Sequence, residues 1–284
     1  MRRSRLTFLA AIAAVGLLAA SSVGTVAQGG IDAAAATITI DGNASDWADI
    51  EGTTVTLEQL DFGRHSEADT QELDFGFVDP IDVTFKVAND AENIYLLMEV
   101  PAAYDYVADD HSFSPAIAVQ ARIVSEASSH MGADEADFIA STGMVDIWHW
   151  ELDCGPGELS GGAAVEGGVT GTGNDPCNFD DEVSTTPEKR EDDGGMEEAP
   201  NDAAENSLLG SWSHTATEIG GDGSWVFEMS RPLATGDPED AQWEAGGIAE
   251  LALAWWDPKE TVEGWTAAGH LTNAYDGWLQ VNLN

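Results

Sequence analysis

The side chains best suited to hold a metal or a redox group in this 284-residue chain are few: six histidines, six methionines and two cysteines. Met131 stands apart among the methionines. It follows His130 in a stretch rich in Ser, Gly and Asp, whereas Met98 and Met229 alternate with other apolar residues and read as core filler. A thioether is a soft ligand that suits haem iron, and an imidazole on the opposite side raises the reduction potential. Iron held by two such side chains has no open position, so it passes electrons and binds no substrate. Imidazoles near it in the sequence are those of His130 and His149. His149 alternates away from Trp148 and Trp150, whose shared strand face can wall a pocket or fill a core.

Cys154 and Cys177 are too few for a Cys-x-x-Cys-His haem attachment or a four-cysteine centre. Outside the cell they are expected to form a disulfide contributing about 3 kcal/mol and pinning the base of a long loop. The acidic run Asn178-Phe179-Asp180-Asp181-Glu182 lacks the spaced ligands and central glycine of an EF-hand loop, and solvated charge is its plainer reading.

These residues sit in a chain that begins with Arg2, Arg3 and Arg5, an apolar run over 6–20 and a small-residue stretch ending Thr25-Val26-Ala27. That is the layout of a signal peptide (1–27) with cleavage after Ala27, by Sec or by Tat, so the chain is expected to be exported and extracytoplasmic. No later segment offers the ~20 consecutive apolar residues of a membrane span, so no transmembrane anchor of its own is expected. An Ala-rich linker (28–36) precedes a single domain (37–284), which opens on the alternation of Thr37-Ile38-Thr39-Ile40. Short alternating runs at 81–88, 94–100, 116–124, 145–151, 225–230, 248–256 and 278–283, separated by Gly, Asp and Pro, predict an all-β, antiparallel two-sheet β-sandwich with short helices. An acidic insertion at about 155–206 has no sustained period and reads as a partly disordered surface loop.

The formal charge is −42, from 52 acidic against 10 basic residues, and loss of the leader arginines makes it more negative still. Self-repulsion at that density opposes compaction, but in molar salt the Debye length falls to ~3 Å, so the surface reads as adapted to brine. Nucleic acid is excluded as a partner, because phosphate binding needs clustered Lys and Arg.

Three stretches, in order, resemble the haem b (gamma) subunit of the type II DMSO reductase family, the domain also called ethylbenzene dehydrogenase-related. They are Ile40-Asp41-Gly42-Asn43-Ala44-Ser45-Asp46-Trp47, shared with family 9-like carbohydrate-binding modules; Met131-Gly132 followed by Trp148-His149-Trp150; and Ser230-Arg231-Pro232-Leu233 through Trp255-Trp256-Asp257. The resemblance implies one non-covalent haem b with Met131 as an axial ligand. It implies a second ligand past the Trp-Asp pair, where this chain offers His270, or Lys259 nearer Asp257. It also implies a molybdopterin catalytic subunit and an iron-sulfur subunit as partners, with single electrons relayed to a respiratory-chain carrier. Glu151 departs from the family, where Lys often follows the Trp-x-Trp element. The rival readings are a secreted, family 9-like carbohydrate-binding module, which requires solvent-facing aromatics and no role for Met131, and a calcium-dependent surface protein.

Overall fold

Period-two alternation sets the inner faces of two sheets: Val83, Phe85 and Val87 point inward from β5 (Ile81–Asn89), and Ile94, Leu96, Met98 and Val100 from β6 (Asn93–Val100). The computed structural model describes residues 24–25, 30–58, 79–105, 115–129, 133–134, 137–141, 143–151, 165–166, 180–186, 189–192, 208–238, 240–257, 269–273 and 276–284. In the first sheet β5 and β6 are central, with β4 (Thr53–Leu57) and then β1 (Gly24–Thr25) beyond β5. Beyond β6 lie β15 (Trp225–Pro232), β14 (Leu209–His214) and β11 (Val165–Glu166), while β3 (Ala34–Ala35) also pairs with β5.

The second sheet runs β13 (Lys189–Asp192), β12 (Asp180–Thr186), β10 (Val145–Glu151), β7 (Ala116–Arg122), β16 (Ile248–Asp257), β18 (Leu279–Asn282), β2 (Ile31–Asp32), with β17 (Gly269–Thr272) also on β16. A two-stranded ribbon pairs β8 (Ala133–Asp134) with β9 (Asp137–Ser141). All pairings are antiparallel except β1 with β4, β3 with β5 and β2 with β18. The inner faces meet in one core that includes Phe85, Met98, Ile117, Val119, Phe227 and Leu253, each at most 1% exposed. The chain is thus an all-β two-sheet sandwich whose one described helix is a 3₁₀ turn, Ala44–Trp47. Among the described residues, no helix is long and apolar enough to cross a membrane.

Three expectations shift. Residues of the Ala-rich stretch lie in the sheets: Ile31 pairs with Val281, and Ala34 with Ala88. Alanine carries no alternation to read, yet its small side chain lets the segment lie close against both sheets. Conversely, Ile38 and Ile40 are buried but not in a strand; they pack with Trp47 and Leu97 on the outer face of the first sheet. The acidic insertion also supplies strands, since β12 pairs along β10 with His149 opposite Asp180 and Val145 opposite Ser184.

The β5–β6 turn is held by Asp90, which accepts from the amides of Glu92 and Asn93 (both 2.9 Å), from Tyr95 Oη (2.6 Å) and from Thr37 Oγ1 (2.8 Å). Burial acts upward on this carboxyl, but the four donors outweigh it and hold it down at about 2. The unfolded chain therefore binds the proton first, so this contribution is present above about pH 4 and is lost as pH falls toward 2. Asp90→Ala should lower the thermal midpoint at neutral pH and flatten the acid limb of a pH–stability profile followed by circular dichroism.

Candidate functional site

Of the candidate residues singled out in the sequence, His130, Met131, Lys259, Cys154 and Cys177 lie outside the described residues. For Trp150 and His270 the strand register is defined: Trp150 is opposite Ile117 on β7, and His270 is opposite Trp256 on β16. Trp148 is fully buried between the sheets, 5.9 Å from the Trp243 ring in an edge-on arrangement. It covers a side chain of the core.

That side chain is Arg231. Alternation from Trp225 through Phe227 and Met229 turns it inward, and its guanidinium carbon lies 4.9 Å from the Trp148 ring centroid and 5.2 Å from that of Trp243. Nη1 donates to Asp146 Oδ2 at 2.5 Å and is 3.1 Å from Asp240 Oδ1, while Nη2 donates to the Ala241 carbonyl. Asp146 Oδ2 also accepts from the Ala241 amide at 2.9 Å. Asp146 belongs to the second sheet and Arg231 to the first, so the ion pair ties the two layers.

The Asp41 to Trp47 motif is accounted for by a different buried carboxylate. Glu228, on the outer face of β15, accepts from Trp47 Nε1 (2.7 Å) and from the amides of Gly42 (2.5 Å) and Asp41 (3.2 Å). Gly42 reaches this position with φ 78°, which a side chain disfavours. Lys86 Nζ donates to the Trp47 carbonyl at 2.8 Å. Burial pushes the Glu228 carboxyl up against the pull of these donors. The motif thus fastens the amino-terminal segment across the first sheet. Because every partner of Glu228 is a donor, Glu228→Gln must set an amide N–H against another N–H, and a loss of about 1–3 kcal/mol is expected in denaturant unfolding.

Half-buried aromatic surface occurs instead on the outer face of the second sheet. Parity places Trp255 inward and Trp256 outward. Trp256 and Trp278 pack in one cluster with Ala118, Val145, Ile147 and Ala254, and with Val124 and Ala127 of the segment after β7. Small alanines at 116, 118, 252 and 254 let that segment and the Trp278 ring approach the sheet. Trp278 Nε1 donates to the Ala127 carbonyl at 3.2 Å, and the Arg122 guanidinium lies 5.9 Å from the Trp278 ring centroid. Arg122 is itself fixed by both Glu250 carboxylate oxygens at 3.1 Å and by the carbonyls of Val124 and Ser125. Trp256 and Trp278 thus stand half-buried against one outer-face cluster, whereas Trp243, also half-buried, is packed against the inner core over Arg231. Trp47, Trp148, Trp212, Trp225 and Trp255, by contrast, are at most 4% exposed.

No family model and no curated protein matches the chain. Solved structures similar to it include a protein of Bacteroides uniformis described as carbohydrate-binding, with TM-score 0.43 and 10% identity over 89% of this chain and 97% of that one. They also include a family 9 carbohydrate-binding module of Caldicellulosiruptor kristjanssonii. It was solved with cellotriose (TM-score 0.39, 14% identity, 89% and 93% coverage) and with glucose (TM-score 0.37, 13% identity, 89% and 95% coverage).

The haem b assignment is corrected on these findings. The similar structures named above are described as carbohydrate-binding where the assignment required a haem-binding subunit, and no family model or curated protein ties the chain to the type II DMSO reductase family. Haem b as cofactor and electron transfer as function go with it. The described parts of the motifs that carried the resemblance have structural roles, since Asp41 to Trp47 holds Glu228, Trp148 covers Arg231 and Arg231 joins the sheets, while Met131-Gly132 lies outside the described residues.

Proposed function

We propose that this chain is an exported, non-catalytic carbohydrate-binding module that works in a salt-rich medium and presents the Trp256–Trp278 face to its glycan. The observation that carries the reading is the pair of half-buried tryptophans in one cluster on the outer face of the second sheet. A flat indole offers an apolar face to the C–H face of a sugar ring, while neighbouring polar groups meet its hydroxyls. Arg122 and Glu250 stand at the margin of that cluster, with side chains 23% and 30% exposed. The arginine and apolar run at the amino terminus supports export.

The test is retention on insoluble cellulose, xylan, mannan and chitin in molar salt. Trp256→Ala is expected to weaken binding to the retained polymer by at least about tenfold, the usual cost of removing a central aromatic anchor. Its near-UV circular dichroism should remain that of a folded protein. Retention by none of the four polymers, or undiminished binding by both Trp256→Ala and Trp278→Ala, would remove the reading.

A further inference from the structure

Arg231 is the meeting point of two carboxylates, and the charge does not balance. Its side chain is 0% exposed, and those of Asp146 and Asp240 are 1% and 2% exposed. Both acids approach the same nitrogen, Nη1, through one oxygen each. Their other oxygens, Asp146 Oδ1 and Asp240 Oδ2, are buried with no hydrogen-bond partner among the described residues. With both acids ionised, one positive charge would face two negative ones in the core, beside two orphan acceptors. A buried acceptor without a donor costs about 1–3 kcal/mol, and an uncompensated charge costs more.

We propose that Asp146 and Asp240 form a buried proton-binding site, in which Asp240 takes up one proton on Oδ2 and strengthens the join between the two sheets when the surroundings acidify. The proton comes from solvent and returns to it, and no other bond is made or broken. It cancels the surplus negative charge and removes one of the two orphan acceptors. Asp240 rather than Asp146 is the acceptor of the proton because Asp146 has the shorter contact to Nη1 and a backbone amide on the same oxygen. The groups that face Asp240 are Arg231 on β15, Asp146 on β10 and, from its own loop, Asp237 and the Thr235 hydroxyl. Burial is the largest influence on it and acts upward, as do Asp146 and Asp237; Arg231 and Thr235 act downward, and the carboxyl stands at about 6.

The direction of the effect follows. Between the unfolded value near 4 and the folded value near 6, the folded protein holds the extra proton, so stability from this site is complete below about pH 4 and lost as pH rises through 6. The unfolding constant changes by up to about tenfold per pH unit in that window. The other acidic residues also titrate on acidification, so the site is read as a difference between two proteins. Asp240→Asn carries a permanently neutral side chain with a donor where the proton would be. In molar sodium chloride it should be more stable than the parent at pH 7.5, and the advantage should shrink by at least about tenfold in the unfolding constant by pH 4.5. Infrared difference spectra of the folded parent should show a protonated carboxyl appearing across the same window, absent in Asp240→Asn. A gap between the two proteins that does not change with pH would overturn the proposal. So would a parent stability at pH 7.5 that depends on sodium, potassium or tetramethylammonium at equal ionic strength, with no such dependence in Asp240→Asn, because a bound cation would then neutralise the pair. If the variant fails to fold, the infrared signal of the parent decides alone: a folded protein with no protonated carboxyl at pH 4.5 that ionises by pH 7.5 contradicts the site.

Discussion

Moved from molar salt to about 0.1 M, the protein is expected to lose its fixed tertiary structure, because the Debye length widens from ~3 Å to ~10 Å. At the longer length each of 52 acidic residues feels its neighbours, and only 10 basic residues oppose them. Two ion pairs are spent in the core at Arg231, where they do nothing to relieve this surface. Near-UV circular dichroism and the melting temperature across a salt titration measure the effect. A spectrum and midpoint unchanged down to low salt would show that the acidity is not an adaptation to brine.

Arg231→Met is expected to be the most damaging single substitution in the described core. It removes the cation from between Asp146 and Asp240 and the stack between Trp148 and Trp243 in one step. Removing one partner of a buried ion pair costs about 3–5 kcal/mol, a large part of the stability of an ordinary domain. Neutralising the acids at the same time, as Arg231→Met with Asp146→Leu and Asp240→Asn, should recover much of the loss, since a well-packed apolar replacement of a buried pair is often neutral. Denaturant unfolding in molar salt compares the two. Equal losses in both would mean that the charge network is incidental to the join between sheets.

Where alternation was unbroken, the sequence was enough to read the fold. The β5–β6 hairpin, β7, β10, β15 and β16 all fall where apolar residues recur at every second position. Met98 and Met229 sit in the core as their alternation required. The alanines at 33–36 gave no such signal, and β4, β14 and β17 were too short or too rich in Thr, Ser and Gly to stand out. The Glu228 contacts join residues 186 positions apart, which no local pattern reports. Arg231 could have been found: it shares parity with Trp225, Phe227 and Met229, and an arginine on a core face demands an acid, which Asp146 supplies two positions before the inward Trp148. Of the two roles left open for Trp148, its position between the sheets fits core packing, and Asp41 to Trp47, taken as part of a family resemblance, fastens a segment across the first sheet. Parity in Trp255-Trp256 was the available pointer to the outer face, because adjacent strand residues cannot both enter the core.

The most direct test of that outer face is an indole nitrogen–proton correlation spectrum of the protein in molar salt, titrated with an oligosaccharide of the retained polymer. Tryptophan resonances assigned by single replacement should divide into two sets. Those of Trp256 and Trp278 are expected to shift and saturate together, with Trp278 reporting any change in its bond to the Ala127 carbonyl, while those of the buried Trp47, Trp148, Trp225 and Trp255 stay in place. Saturable shifts confined to other tryptophans, or no shift with any oligosaccharide from the four polymers, would contradict the assignment of glycan binding to this face.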